Sequence, residues 1–180
     1  MIGKNIILIG FMGTGKSSVG KRLAKKMNYN FIDTDAYIEE LEGKKISDIF
    51  NEKGEEYFRK LETKVVKDLS HKLEGYVVAT GGGLPLRRVN QRPLRNMGTV
   101  IYLKSSENTI YQRLKYDTTR PLLQGDNPKE KIHQILKQRE PIYRRVCHRY
   151  IKTDNRSFEQ IVEEIEGYIN EITRNQRTKH

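Results

Sequence analysis

Gly10-Phe-Met-Gly-Thr-Gly-Lys-Ser17 fits the pattern Gly-x-x-x-x-Gly-Lys-Ser/Thr at every fixed position, the signature of a loop that wraps phosphate groups. Its flanks agree. Before it, Asn5-Ile-Ile-Leu-Ile9 is an apolar run rich in β-branched residues, the composition of a strand buried on both faces. After it, the stretch from Lys16 to Met27 places Val19, Leu23, Ala24 and Met27 at helical spacing. Strand, glycine loop and helix in that order predict a backbone turned around an anion. Gly10, Gly13 and Gly15 let the chain curl tightly and point its N–H groups inward. The helix adds free N–H groups and a positive dipole end. Lys16 is placed to reach the outer phosphates of a nucleoside triphosphate, and the Ser17 hydroxyl to ligate magnesium.

Outward from this unit, strands and helices alternate, which predicts a mostly parallel sheet with helices on both faces. Asn30-Phe-Ile32 reads as a second strand ending at Asp33-Thr-Asp35. A helical stretch from Ala36 to Leu73 is broken near Gly43 and Gly54. Tyr76-Val-Val-Ala-Thr80 is a third buried strand, Gly98 to Leu103 a fourth and His148-Arg-Tyr-Ile151 a fifth. Helices are expected near Glu107–Leu114, Lys129–Arg139 and Ser157–Ile172, the last with Ile161, Ile165, Tyr168 and Ile172 along one side. The expected fold is a single three-layer α/β/α domain over residues 1–173, with a five-stranded parallel sheet and a P-loop kinase architecture. A polar lid is expected at about 113–127, and a basic, frayed tail over 174–180.

Composition bounds the class. A chain of 180 residues fits one domain with a sizeable core. Its single cysteine, Cys147, excludes an intramolecular disulfide and a cysteine zinc cluster and favours a reducing compartment. No apolar stretch reaches the roughly 18–20 residues of a membrane span, and the first strand is a poor signal peptide. A cytoplasmic enzyme is expected, and a monomer. Lys and Arg total 34 against 23 acidic residues, a formal net charge of +11. Such an excess attracts anions such as nucleotide phosphates, acidic metabolites or nucleic acid.

In parallel α/β sheets, ligands bind beyond the carboxyl ends of the strands, where the second strand delivers Asp33 and Asp35 and the third delivers Gly81-Gly82-Gly83. The third strand ends without an acid, so Asp33 is the candidate carboxylate for magnesium. Asp35 is then the candidate acceptor of a substrate hydroxyl proton. Both also suit the cap of the following helix. Three consecutive glycines weaken a chain entropically; they make sense where a ligand lies on bare backbone, or as a tight turn. Arg59 lies three residues before Glu62, which could orient its guanidinium. Arg120-Pro-Leu-Leu123 lies within the lid, where an arginine closing over the nucleotide would stabilise charge on the transferred group.

Taken together, these pieces resemble the shikimate kinase family, over nearly the whole chain from Lys4 to about Ile172. The resemblance rests on Gly10–Ser17, Asp33-Thr-Asp35, Ile49-Phe50, Gly54-Glu55, Phe58-Arg59 with Glu62, Gly81-Gly82-Gly83, Arg120-Pro-Leu-Leu123, and Arg139 with Pro141 and Tyr143. It implies transfer of the γ-phosphoryl group of ATP to the 3-hydroxyl of shikimate, on the way to chorismate and the aromatic amino acids. It implies that Gly13, Thr14, Gly15, Lys16, Ser17 and Ser18 hold the phosphates. Ser17 and, through water, Asp33 would hold Mg2+. Asp35 would bind and deprotonate shikimate, while Arg59, Arg139 and Gly81, Gly82 and Gly83 hold it and Phe50 and Phe58 wall its ring. Arg120 is implied as the lid arginine, and Arg113 and Arg156 as flanking adenine. Family members often carry proline where this chain has Phe158.

Two other readings are open to the sequence. A kinase of another small acceptor, such as gluconate or a nucleotide, shares the loop and lid but does not need Asp35, Arg59, Gly82 and Arg139. A nucleic-acid-binding module accounts for the charge, yet the basic residues are spread along the chain and mixed with acids. A GTP switch lacks support, since no Asn-Lys-x-Asp sequence occurs.

Overall fold

The computed structural model describes residues 5–115 and 127–178. Five strands, β1 (Asn5–Ile9), β2 (Asn30–Asp33), β3 (Tyr76–Ala79), β4 (Gly98–Lys104) and β5 (Arg149–Lys152), form one sheet in the order β2-β3-β1-β4-β5. Every pairing is parallel. All five carboxyl ends therefore point the same way, and the segments following β1, β2 and β3 meet there.

The pleat divides the core in two. Ile6 and Leu8 of β1 join Val77, Ile101 and Leu103 on one face. That face is covered by α1 (Lys16–Met27) and α7 (Phe158–Arg177) through Val19, Leu23, Ile161 and Ile165. Ile7 and Ile9 alternate to the opposite face with Val78, Val100 and Tyr102. Helices α2 (Thr34–Glu42), α3 (Ile46–Lys72), α4 (Arg88–Met97), α5 (Glu107–Leu114) and α6 (Pro128–Val146) contribute Ile38, Phe58, Leu94, Ile110 and Leu136 to that second core. Strands apolar on both faces and helices on both sides make the three-layer domain that the alternation of elements predicts.

The glycine breaks in the long helical stretch are real. Gly43 ends α2 with φ 63°, and Gly54 interrupts α3 with φ 79° and ψ 168°, both in the region that disfavours a Cβ. Three boundaries differ from the sequence expectation. Helix α4 has no counterpart in it, because its inner face carries a buried Asn90 beside Leu94 and Met97, and Pro93 lies inside. The Asn90 side chain replaces apolar packing with a 2.9 Å hydrogen bond to the Leu84 carbonyl. Helix α6 does not stop at Arg139; it carries Pro141 internally and runs on to Val146 because Tyr143 and Val146 are buried. Helix α7 continues to Arg177, into the tail expected to fray, with Arg174 and Arg177 in its last turn, where cations favour the helix dipole.

Candidate active site

The phosphate loop takes its shape from its glycines. Gly10, Gly13 and Gly15 have φ of 146°, 76° and 90°, backbone angles that penalise any Cβ. Gly15 begins α1 without a side-chain cap, so the first helical N–H groups face the loop. That is the arrangement that receives an anion. Buried Thr14 braces the turn with a 2.8 Å bond to the Phe11 carbonyl. Lys16 Nζ donates to the carbonyls of Gly10 (2.9 Å) and Phe11 (2.8 Å), which holds the ammonium over the loop.

At the adjacent strand end, Asp33 does two things at once. Its Oδ1 accepts from the backbone N–H of Asp35 (3.0 Å) and Ala36 (3.4 Å), capping α2. Its Oδ2 accepts from the Ser17 hydroxyl at 2.6 Å. The helix cap thus takes one oxygen of the carboxylate and the Ser17 hydroxyl the other. The cap fixes the carboxylate where it meets Ser17. A pair of hard oxygen donors so placed fits Mg2+, which takes one or two carboxylates and completes its shell with phosphate and water. Among the described residues no group of three or more His, Cys, Asp and Glu could hold a metal by itself, as suits an ion bound largely through nucleotide phosphates.

The acceptor side is built on the glycine turn after β3. Gly81 donates its N–H to the Thr34 hydroxyl at 3.0 Å, tying the turn to the end of β2. A Cβ on Gly81 would collide with Asp35 Oδ1 and crowd Glu62 Oε1, and one on Gly83 would collide with the Arg59 guanidinium. At Gly82 it would press against the Gly10 carbonyl at 3.3 Å. Asp35, Arg59, Glu62 and the phosphate loop thus all lie close against this glycine backbone.

Arg59 donates through Nη1 to Glu62 at 2.8 Å, and through Nε and Nη2 to Glu55 at 3.2 and 3.1 Å. Glu62 is 1% exposed, so it fixes the guanidinium as the i,i+3 spacing implies. Phe50 and Phe58 stack at 4.9 Å between centroids, and the Arg59 guanidinium lies 5.4 Å from the Phe58 ring centre. From α6, Arg139 approaches the same turn, its guanidinium 5.6 Å from the centre of the Phe11 ring.

Burial pushes the Glu62 carboxyl up to about 7; Arg59 pulls it back and the nearby Asp35 adds to the rise. An acid whose folded pKa lies above its usual 4.5 stabilises the fold fully below that unfolded value, and loses the contribution as pH rises through about 7. The melting temperature of the wild type relative to Glu62→Gln should therefore fall between about pH 4.5 and 7 and level off above. Parallel melting curves across that range check it; a constant difference contradicts it.

Arg113 of α5 donates to the Gly13 carbonyl of the phosphate loop at 2.9 Å. Arg156 lies just before the Ser157 cap of α7. It bonds the carbonyls of Lys152 and Gln160, both at 3.0 Å, and the Glu164 carboxylate. Phe158, not Arg156, lies against Gly15, with Arg22 stacked 4.5 Å from its ring centre. Arg120-Pro-Leu-Leu123 lies outside the described residues. Sequence reasoning gave no role to Tyr143, whose hydroxyl donates to the Gly82 carbonyl at 2.7 Å.

A glycine loop of the phosphate-binding kind, with Asp33 and Ser17 beside it and Asp35 and Arg59 against the next glycine turn, is the makeup of a phosphate-loop kinase. The family model described as shikimate kinase matches residues 12–170. A shikimate kinase of a Sulfurihydrogenibium species is 50% identical over 162 residues, covering 90% of this chain and 95% of that protein. One from Thermodesulfovibrio yellowstonii is 46% identical over 164 residues, covering 90% and 92%. The solved shikimate kinase from Acinetobacter baumannii, in complex with shikimate, superimposes with a TM-score of 0.89 at 38% identity, covering 94% of each chain. A Sinorhizobium meliloti gluconokinase shares the fold alone, with a TM-score of 0.60 at 19% identity. The chain belongs to the shikimate kinase family.

Proposed function

We propose that this chain transfers the γ-phosphoryl group of ATP to the 3-hydroxyl of shikimate, giving shikimate 3-phosphate and ADP. The observation that carries the reading is the convergence of Asp35, Arg59 and Glu62 on the glycine turn, which itself rests against the phosphate loop. The acceptor's carboxylate takes the forks of Arg59 and Arg139, since guanidinium groups match carboxylates in a planar, two-bonded geometry. Asp35 accepts the proton of the 3-hydroxyl as its oxygen bonds to the γ-phosphorus and the bond to the β–γ bridging oxygen breaks. Lys16 and the loop N–H groups hold the β- and γ-phosphates and balance the charge that develops on the leaving ADP. Ser17 and, through water, Asp33 would hold magnesium, which would supply charge neutralisation at the phosphate oxygens. Phe50 and Phe58 wall the ring, Gly13 to Ser18 bind the phosphates, and Arg113 and Arg156 flank the adenine.

A coupled ADP-release assay over shikimate, quinate, gluconate and nucleoside monophosphates tests the acceptor. Shikimate alone should give rapid turnover; comparable rates with gluconate would sink the assignment. The same reading takes the enzyme as a cytoplasmic monomer, which light scattering on the purified chain checks for its oligomeric part. Arg120 is assigned to the phosphates in the reacting state, so Arg120→Ala should lower kcat much more than it raises the KM for shikimate. A change confined to KM would make Arg120 a ground-state ligand instead.

A further inference from the structure

Tyr143 sits two residues beyond Pro141 in α6, with no solvent exposure. Its ring packs on Tyr102 of β4 with centroids 5.2 Å apart, which locks its position. Its hydroxyl donates to the Gly82 carbonyl at 2.7 Å, across 61 residues of sequence. Arg139 lies one helical turn before Tyr143 on α6, the i,i+4 spacing that sets two side chains side by side, and its charge acts on the same hydroxyl. Burial pushes the phenol up to about 12, with the Arg139 charge pulling against the rise, so the hydroxyl keeps its proton and its donor role at neutral pH. Gly82 in turn lies against the backbone of Gly10 and Met12 in the phosphate loop, and Arg139 lies over Phe11 of that loop.

We propose that the Tyr143 hydroxyl is a positioning group for the acceptor: it clamps the Arg139 guanidinium to the Gly82 backbone and so fixes the acceptor's carboxylate relative to the phosphate loop. The physical case is one of satisfied partners. The buried hydroxyl holds the Gly82 carbonyl and stands one helical turn from the Arg139 guanidinium. Arg139 projects from a helix while Gly82 belongs to a turn, and among the described residues the Tyr143 hydroxyl makes the hydrogen bond that joins the two. A long arginine side chain loses much rotamer freedom when ordered; a fixed phenolic oxygen supplies that order before substrate arrives, so binding does not have to. Phosphoryl transfer depends on such alignment, because the protein contributes positioning more than covalent chemistry. Tyr143 touches neither shikimate nor ATP in this account and acts through Arg139 and Gly82. The inference rests on the reading of Arg139 as a ligand of the acceptor's carboxylate.

The test is steady-state kinetics of Tyr143→Phe, Arg139→Ala and the double variant, with melting curves for each. Phenylalanine keeps the ring and its packing and removes only the hydroxyl. In Tyr143→Phe the KM for shikimate should rise about tenfold, the order expected for losing one hydrogen bond to a charged group, with the KM for ATP unchanged. In the Arg139→Ala background the same substitution should add little, since two members of one unit are not additive. A melting temperature that drops while the KM for shikimate stays put would make Tyr143 merely structural. Full additivity in the double variant would overturn the clamp as well. Should Arg139→Ala itself leave the shikimate KM unchanged, the reading of Arg139 fails, an outcome distinct from failure of the clamp alone.

Discussion

Asp35→Asn should lower turnover by roughly 10²–10⁴-fold, the usual contribution of a general base. Asparagine keeps the shape but cannot take the hydroxyl proton, and its amide offers donors where the shikimate hydroxyl needs an acceptor. The fold should tolerate the change. Asp35 lies in the first turn of α2, and the cap there is supplied by Asp33. Removing one carboxylate beside Glu62 also relieves a repulsion that helps to raise the Glu62 pKa. The affinity for ATP should survive, because Asp35 faces the glycine turn and not the phosphates. Rapid-quench or coupled turnover assays, with nucleotide binding measured separately, give both readouts. Near-normal turnover would remove Asp35 from the proton transfer.

Lys16→Ala should cost at least about a hundredfold in phosphoryl transfer, the scale of losing one preorganised group that stabilises developing charge. Lys16 Nζ is held by two loop carbonyls in the geometry described above, so its position is set before substrate arrives. Melting curves of the variant show whether the fold survives the loss of these two bonds. Turnover close to wild type in a folded variant would exclude the loop lysine from the mechanism.

The difference in legibility between the two halves of the site has a physical origin. The phosphate loop is local: its glycines, lysine and serine sit within eight residues, and each is required by backbone geometry that a sequence pattern records. Asp33 and Asp35 were legible because strand ends deliver their residues to the site, although only the structure assigns one oxygen of Asp33 to the helix cap and the other to Ser17. Gly81, Gly82 and Gly83 were visible as an anomaly; that Asp35, Glu62 and Arg59 press on them is a tertiary fact. Helix α4 was hidden because a hydrogen-bonded Asn90 stands in the apolar stripe and Pro93 reads as a breaker. The extension of α6 was hidden because Pro141 costs one helical hydrogen bond, while Tyr143 and Val146 are buried beyond it and keep the helix going. The bond from Tyr143 to Gly82 has no local signature at all, since it joins two segments that meet only when the sheet forms.

The central claim is a division of labour between neighbouring strand-end aspartates, Asp33 on the metal side and Asp35 on the acceptor side. Titrating magnesium against Asp33→Asn and Asp35→Asn tests it most directly. Asparagine at 33 removes charge facing the ion but keeps one acceptor oxygen, so the defect should appear as a raised magnesium requirement, and added magnesium should partly recover activity. Asparagine at 35 leaves the metal side intact, and added magnesium should recover nothing. Equal rescue of the two variants, or rescue of Asp35→Asn alone, would contradict the account.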